Sequence, residues 1–94
     1  MSLPQIRKRI DCLDGEILKL IHERLGLAFQ TKPFKSRIYD RVRERKILGH
    51  LKKRTTGYPL LREEFIVSLF KAIMKESRRI QGASGPHKNK EVQP

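Results

Sequence analysis

Leu3, Ile6, Ile10, Leu13, Ile17, Leu20 and Leu27 follow one another at helical spacing, the repeat of one apolar stripe along a long α-helix. The step after Leu20 falls on Arg24, so a guanidinium stands where the pattern asks for an aliphatic side chain. At about 1.5 Å per residue, a helix over residues 3–30 is roughly 40 Å long. A compact chain of 94 residues has a radius of gyration of only about 12 Å. One short chain cannot wrap such a helix, so a second chain is expected to cover it.

The ends of this helix and the elements after it are marked by local chemistry. Ser2 and Gln5 form a capping-box pair, with Pro4 tolerated in the first turn. Gly26 weakens the interior, and Pro33 lacks the backbone donor a continuing helix needs. The helix should therefore end near Thr31, with a short connection over residues 34–39. Asp40 is placed to cap a second helix over 41–53, whose apolar side is Val42, Ile47, Leu48 and Leu51. Residues 55–59, with Gly57 and Pro59, break the chain again. A third helix is expected over 61–81, with Phe65, Ile66, Leu69, Phe70, Ile73 and Ile80 as apolar positions and Gly82 as its stop. The predicted fold is all-α: a three-helix chain with a long first helix, one helical domain over residues 1–81, and a disordered C-terminal tail over 82–94 rich in Gly, Pro and polar residues.

Composition narrows the function classes. The formal charge is +12, and residues 37–54 hold eight Lys/Arg against Asp40 and Glu44, or half of it. Such a surface fits solvation, nucleic-acid binding, or recognition of a small anion. Cys12 is alone, so no intrachain disulfide or Cys-based metal cluster can form; its flanks suggest a partly buried helical thiol. His22, His50 and His87 share no ligand spacing, and no metal is expected. The N-terminus has no signal-peptide h-region, and no apolar run approaches membrane-spanning length. A cytoplasmic protein with no membrane partner is expected.

The informative positions are polar residues on apolar faces. Arg24 interrupts the first helix. Ser77 lies between Ile73 and Ile80 on the third, and Gln81 one turn beyond it. Taken singly, Arg24 reads as half of a structural salt bridge, Ser77 as a small packing residue bonded to its own helix, and Gln81 as a solvated side chain near a helix end. A buried guanidinium is costly without an anion, and buried amides and hydroxyls need partners. Together the three point to a polar pocket inside a helical bundle. Arg7 lies seventeen residues before Arg24, about 25 Å away along one helix. Two antiparallel copies of the helix would bring Arg7 of one chain toward Arg24 of the other. Lys35 returns to the face of Arg24 if the helical path continues, and Arg43 and Glu44 open the second helix beside Asp40.

Four stretches carry a family resemblance: residues 6–14 (IRKRIDCLD), 23–28 (ERLGLA), 38–44 (IYDRVRE) and 77–81 (SRRIQ). Each is short, but in this order and spacing they resemble the all-helical AroQ class of chorismate mutases over nearly the whole chain short of the tail. The resemblance implies an intertwined homodimer whose two active sites draw residues from both subunits. It implies the Claisen rearrangement of chorismate to prephenate, in phenylalanine and tyrosine synthesis, with no cofactor. Residue by residue, it implies that Arg24 and the other chain's Arg7 bind the substrate carboxylates, with Arg43 adding positive charge. Lys35 and Gln81 would donate to the ether oxygen. Glu44 and the Asp40 region would meet the ring hydroxyl, and Ser77 would complete the carboxylate or hydroxyl contacts.

The chain departs from the family's pattern in three places. Pro33 lies in the turn that presents the lysine, the link from Lys35 to Asp40 is shorter than usual, and Arg41 replaces a common Pro. Lys32 is therefore an alternative to Lys35. An isochorismate-pyruvate lyase on the same fold is the nearest competing reading, although Ser77 and the Tyr-Asp-x-x-Arg-Glu pattern at 39–44 favour the mutase. A mutase-like binding or regulatory domain without useful catalysis is a second. A basic helical nucleic-acid-binding protein is a third, which gives no reason for Arg24, Ser77 and Gln81 on apolar faces; no nucleic-acid partner is expected.

Overall fold

In the computed structural model, which describes residues 1–35 and 37–82, three α-helices follow one another: α1 (Leu3–Gln30), α2 (Arg41–Thr55) and α3 (Glu63–Gly82). A 3₁₀ turn, Lys32–Phe34, stands between α1 and α2. No strand occurs among the described residues. The expected tail falls almost wholly outside them; Gly82 itself closes α3.

Local chemistry sets most boundaries. Ser2 Oγ accepts from the Gln5 amide at 3.4 Å, and Gln5 Oε1 accepts from the Ser2 amide at 2.8 Å, closing the capping box. α1 stops before Pro33, whose ring would meet the carbonyl four residues back and which has no N–H to continue the ladder. Thr31 instead donates twice to the Ala28 carbonyl, from its amide and its hydroxyl. Asp40 Oδ1 accepts from the Arg43 amide at 3.0 Å and caps α2. α2 runs two residues past the expected Lys53. The Thr55 and Thr56 hydroxyls donate to the Lys52 and Lys53 carbonyls at 2.7 Å, satisfying groups the helix end leaves open. α3 begins two residues later than expected: its first backbone bond runs from the Ile66 amide to the Arg62 carbonyl, and the Leu61 amide closes a turn onto the Tyr58 carbonyl.

α3 packs against both α1 and α2. Among the described residues every buried one lies on it: Ile66, Met74, Ser77, Ile80 and Gln81. Phe65 and Leu69, two of its expected apolar positions, are exposed, and Met74 takes the central place instead. α1 buries none of its 28 residues. The stripe residues Leu3, Ile6, Ile10, Leu13, Ile17, Leu20 and Leu27 are all between 42% and 62% exposed. Cys12, expected to be partly buried, is exposed on the same helix. The Cα radius of gyration is 16.5 Å, with extents of 50 × 43 × 17 Å. That is well above the roughly 12 Å of a compact chain of this length. Covering the stripe would contribute on the order of 1 kcal/mol for each half-exposed side chain, a substantial part of what a small domain needs to stay folded.

Candidate active site

A cavity of about 470 Å³ opens where the C-terminal part of α1, the first turns of α2 and the end of α3 converge. Its size is that of a small-molecule site. Seven of the eight residues singled out from sequence line it: Arg24, Lys35, Asp40, Arg43, Glu44, Ser77 and Gln81. Leu27, Ala28, Ile47 and Met74 supply apolar walls. Arg7 is exposed near the other end of α1 and is not among the lining residues. Lys32 is not among them either; its ammonium lies 6.0 Å from the centre of the Phe29 ring.

Arg24 is half-buried on α1 and reaches α3, where Nη1 donates to Ser77 Oγ at 3.3 Å. The Phe70 ring centre lies 6.0 Å from its guanidinium carbon. Among the described residues Arg24 forms no ion pair with a carboxylate. Burial, then the charge of Arg43, push its pKa below the ordinary arginine value, while Glu44 pulls the other way. The structural-salt-bridge reading of Arg24 therefore does not hold. Here is a guanidinium under electrostatic stress, still protonated at neutral pH, with no anion in contact.

Ser77 is bonded to its own helix, as its sequence position suggests, and also meets Arg24. Its hydroxyl donates to the Ile73 carbonyl one turn back at 3.0 Å while accepting from Arg24. The local helical bond fixes the rotamer, so the oxygen stays aimed at Arg24. Gln81 is only 3% exposed and is not a solvated side chain. Its Nε2 donates to the Ser77 carbonyl at 3.2 Å, leaving one N–H of the amide unspent. Its Oε1 is buried without a hydrogen-bond partner. An unmet buried acceptor costs stability, and this one stands in the cavity wall.

Lys35 follows the 3₁₀ turn in extended backbone, φ −116° and ψ 141°, and its ammonium donates to the Ile38 carbonyl at 3.2 Å. One bond to a backbone carbonyl leaves two further donors on the ammonium. Asp40 is committed to the α2 cap. Glu44, one turn into α2, is held by Arg78, whose Nη1 lies 2.6 and 2.5 Å from the two carboxylate oxygens. A carboxylate has about four acceptor positions, so Glu44 can still accept from a hydroxyl.

Arg78 also lines the cavity and was missed as a site residue. Beside Arg79 it reads as one of a pair of surface charges. Its place directly after Ser77 does not disclose its partner Glu44 on another helix. With Arg78 included, four cationic side chains meet two carboxylates in the wall. The cavity has an excess of two positive charges, suited to a dianion. Arg45, Lys46, Lys52, Lys53 and Arg54 of the basic segment lie exposed along α2 and do not line this cavity. Among the described residues no three His, Cys, Asp or Glu side chains gather as a metal site, and no helix is long and apolar enough to cross a membrane.

Comparison with curated proteins and with solved structures returns no match. The family model for chorismate mutase type II matches residues 6–82, a span that runs from the second stripe residue of α1 to the end of α3 and includes every residue lining the cavity. The chain belongs to the type II chorismate mutase family.

Proposed function

We propose that this protein is a chorismate mutase that converts chorismate to prephenate in phenylalanine and tyrosine synthesis, in the cytoplasm, as an intertwined homodimer. The observation that carries the reading is Arg24. It is half-buried, interrupts an apolar stripe, and is held by a hydroxyl rather than a carboxylate, in a cavity with two excess positive charges. A dicarboxylate entering the cavity supplies the missing counter-charge and offsets the desolvation that now lowers the Arg24 pKa.

The reaction is an intramolecular rearrangement, so no nucleophile or general base is required of the chain. Its task is to hold a flexible dianion in a chair-like near-attack shape and to stabilise negative charge on the breaking ether oxygen. Arg24, with Arg7 of the second subunit in trans, takes the carboxylates, and Arg43 adds field at the same end. Ser77 fixes the Arg24 guanidinium. Glu44, beside the capping Asp40, accepts from the ring hydroxyl. Lys35 turns from the Ile38 carbonyl toward the ether oxygen, and the unspent N–H of Gln81 meets the same atom. Their positive charge and dipole act where charge grows in the transition state, in a wall partly shielded from water.

The half-exposed α1 stripe supports the homodimer. An antiparallel partner helix covers it and carries Arg7 across the length that separates it from Arg24 within one chain. Product identification tests the assignment against the lyase alternative: prephenate from chorismate for a mutase, pyruvate released from isochorismate for a lyase.

A further inference from the structure

Arg78 and Arg79 are neighbours on α3 with different partners. Arg79 closes a bidentate pair with Glu76 on its own helix, at 2.9 and 2.7 Å, on the exposed surface. Arg78 leaves its helix. One terminal nitrogen lies 2.6 and 2.5 Å from the two oxygens of Glu44 on α2, and the two side chains are only 29% and 20% exposed. The face of Tyr39 lies 4.5 Å from the Arg78 guanidinium carbon, close enough for a cation–π contact. Tyr39 belongs to the segment between Lys35 and Asp40, and its neighbour Ile38 supplies the carbonyl that holds the Lys35 ammonium. A single guanidinium therefore joins α3, the first turn of α2 and the lysine-bearing segment.

The contact matters because of what Glu44 would otherwise do. It borders a cavity that also holds Arg24 and Arg43, and its charge already acts on Arg24. A carboxylate released beside the half-buried Arg24 and the exposed Arg43 would pair with one of them. It would then occupy the counter-charge position intended for a ligand. We propose that Arg78 is a positioning residue that holds Glu44 away from Arg24 and Arg43, and so keeps those two guanidinium groups available to an anionic ligand. The proposal rests on the reading of the cavity as a dicarboxylate site. It assigns Arg78 no contact with the reacting atoms.

Two substitutions separate its parts. Arg78→Met keeps much of the aliphatic packing and removes the charge. Arg78→Lys retains a cation that can bridge both Glu44 oxygens, as Nη1 does, but loses the flat contact with Tyr39. The first arm uses no ligand and reads the guanidinium side-chain resonances of Arg24 and Arg43 by NMR. In the Arg78→Met protein, adding Glu44→Gln should shift the Arg24 or Arg43 signals strongly. In the wild-type background the same Glu44→Gln change should mainly perturb Arg78. The second arm measures chorismate binding by calorimetry. Arg78→Met should weaken it about tenfold or more, as for loss of one close charge pair, Arg78→Lys should stay near wild type, and adding Glu44→Gln, whose amide oxygen still accepts from a hydroxyl, should recover part of the affinity lost in the Arg78→Met protein. A merely structural role predicts no such restoration. Unchanged Arg24 and Arg43 signals, or a double variant binding no better than Arg78→Met, would overturn the proposal. Failure of the wild type to bind chorismate would overturn the functional reading instead, while the ligand-free arm still decides the role of Arg78.

Discussion

The Arg24 guanidinium donates to the Ser77 hydroxyl at 3.3 Å, joining residues 53 positions apart. The link ties α1 to α3 at the cavity by a hydrogen bond that neutralises no charge. An ion pair at this place would be a stabilising device at best, and it would close the site. A hydroxyl orients the guanidinium and leaves its charge to be answered by something that enters.

Arg24→Met should therefore separate stability from function. Removing a partly buried, unneutralised charge relieves a desolvation cost, so the melting temperature should stay level or rise. Substrate turnover should fall by about 100-fold or more, the usual scale for losing a preorganised charge contact. Thermal unfolding and steady-state kinetics on one preparation check both halves.

Gln81 offers a second separation. Its Oε1 is buried without a partner, so Gln81→Leu removes an unmet acceptor and should leave the fold intact. It also removes the amide N–H offered to the ether oxygen. The expected result is a loss of roughly 100-fold in kcat with a smaller change in KM, read from initial rates over a range of chorismate concentrations.

Lys35 lines the cavity and Lys32 does not. Lys35→Ala should lower kcat by at least about 100-fold, and Lys32→Ala should leave it within a few-fold of wild type. The reverse outcome would mean that the backbone after Pro33 takes another path when substrate is bound.

Much of this arrangement was legible in the sequence because it rests on short-range chemistry. The Ser2–Gln5 box, the Asp40 cap and the Pro33 stop each act within one turn, and each stands where expected. Arg24, Ser77 and Gln81 were legible because a polar group on an apolar stripe needs a reason. Arg78 was not. Its role depends on Glu44, 34 positions away, and neither helix periodicity nor capping rules reach that far. Periodicity puts Phe65 and Leu69 on the apolar side of α3 ahead of Met74, since hydrophobicity alone does not say which side meets α1 and α2 and which is left exposed. The two shifted helix ends coincide with local bonds, the Thr55 and Thr56 hydroxyls and the Tyr58 turn, that propensity does not describe.

The assignment of Arg7 in trans can be tested by mixing. Arg7→Ala and Arg24→Ala subunits are each expected to form nearly inactive dimers. In a mixed dimer one site regains an intact Arg24 with an intact Arg7 from the other subunit, while the second site lacks both. Random reassembly of equal amounts should recover about a quarter of wild-type activity, because half the dimers are mixed and each restores one of two sites. No recovery, with mixed dimers verified by mass spectrometry, would rule out Arg7 acting on the other subunit's Arg24.

The most direct test of the central claim is to follow the ultraviolet loss of chorismate with purified protein whose dimeric state has been verified by sedimentation, and to identify the product. The account predicts enzyme-dependent conversion of chorismate to prephenate, abolished by Arg24→Met. A well-folded dimer that leaves chorismate unchanged would contradict it.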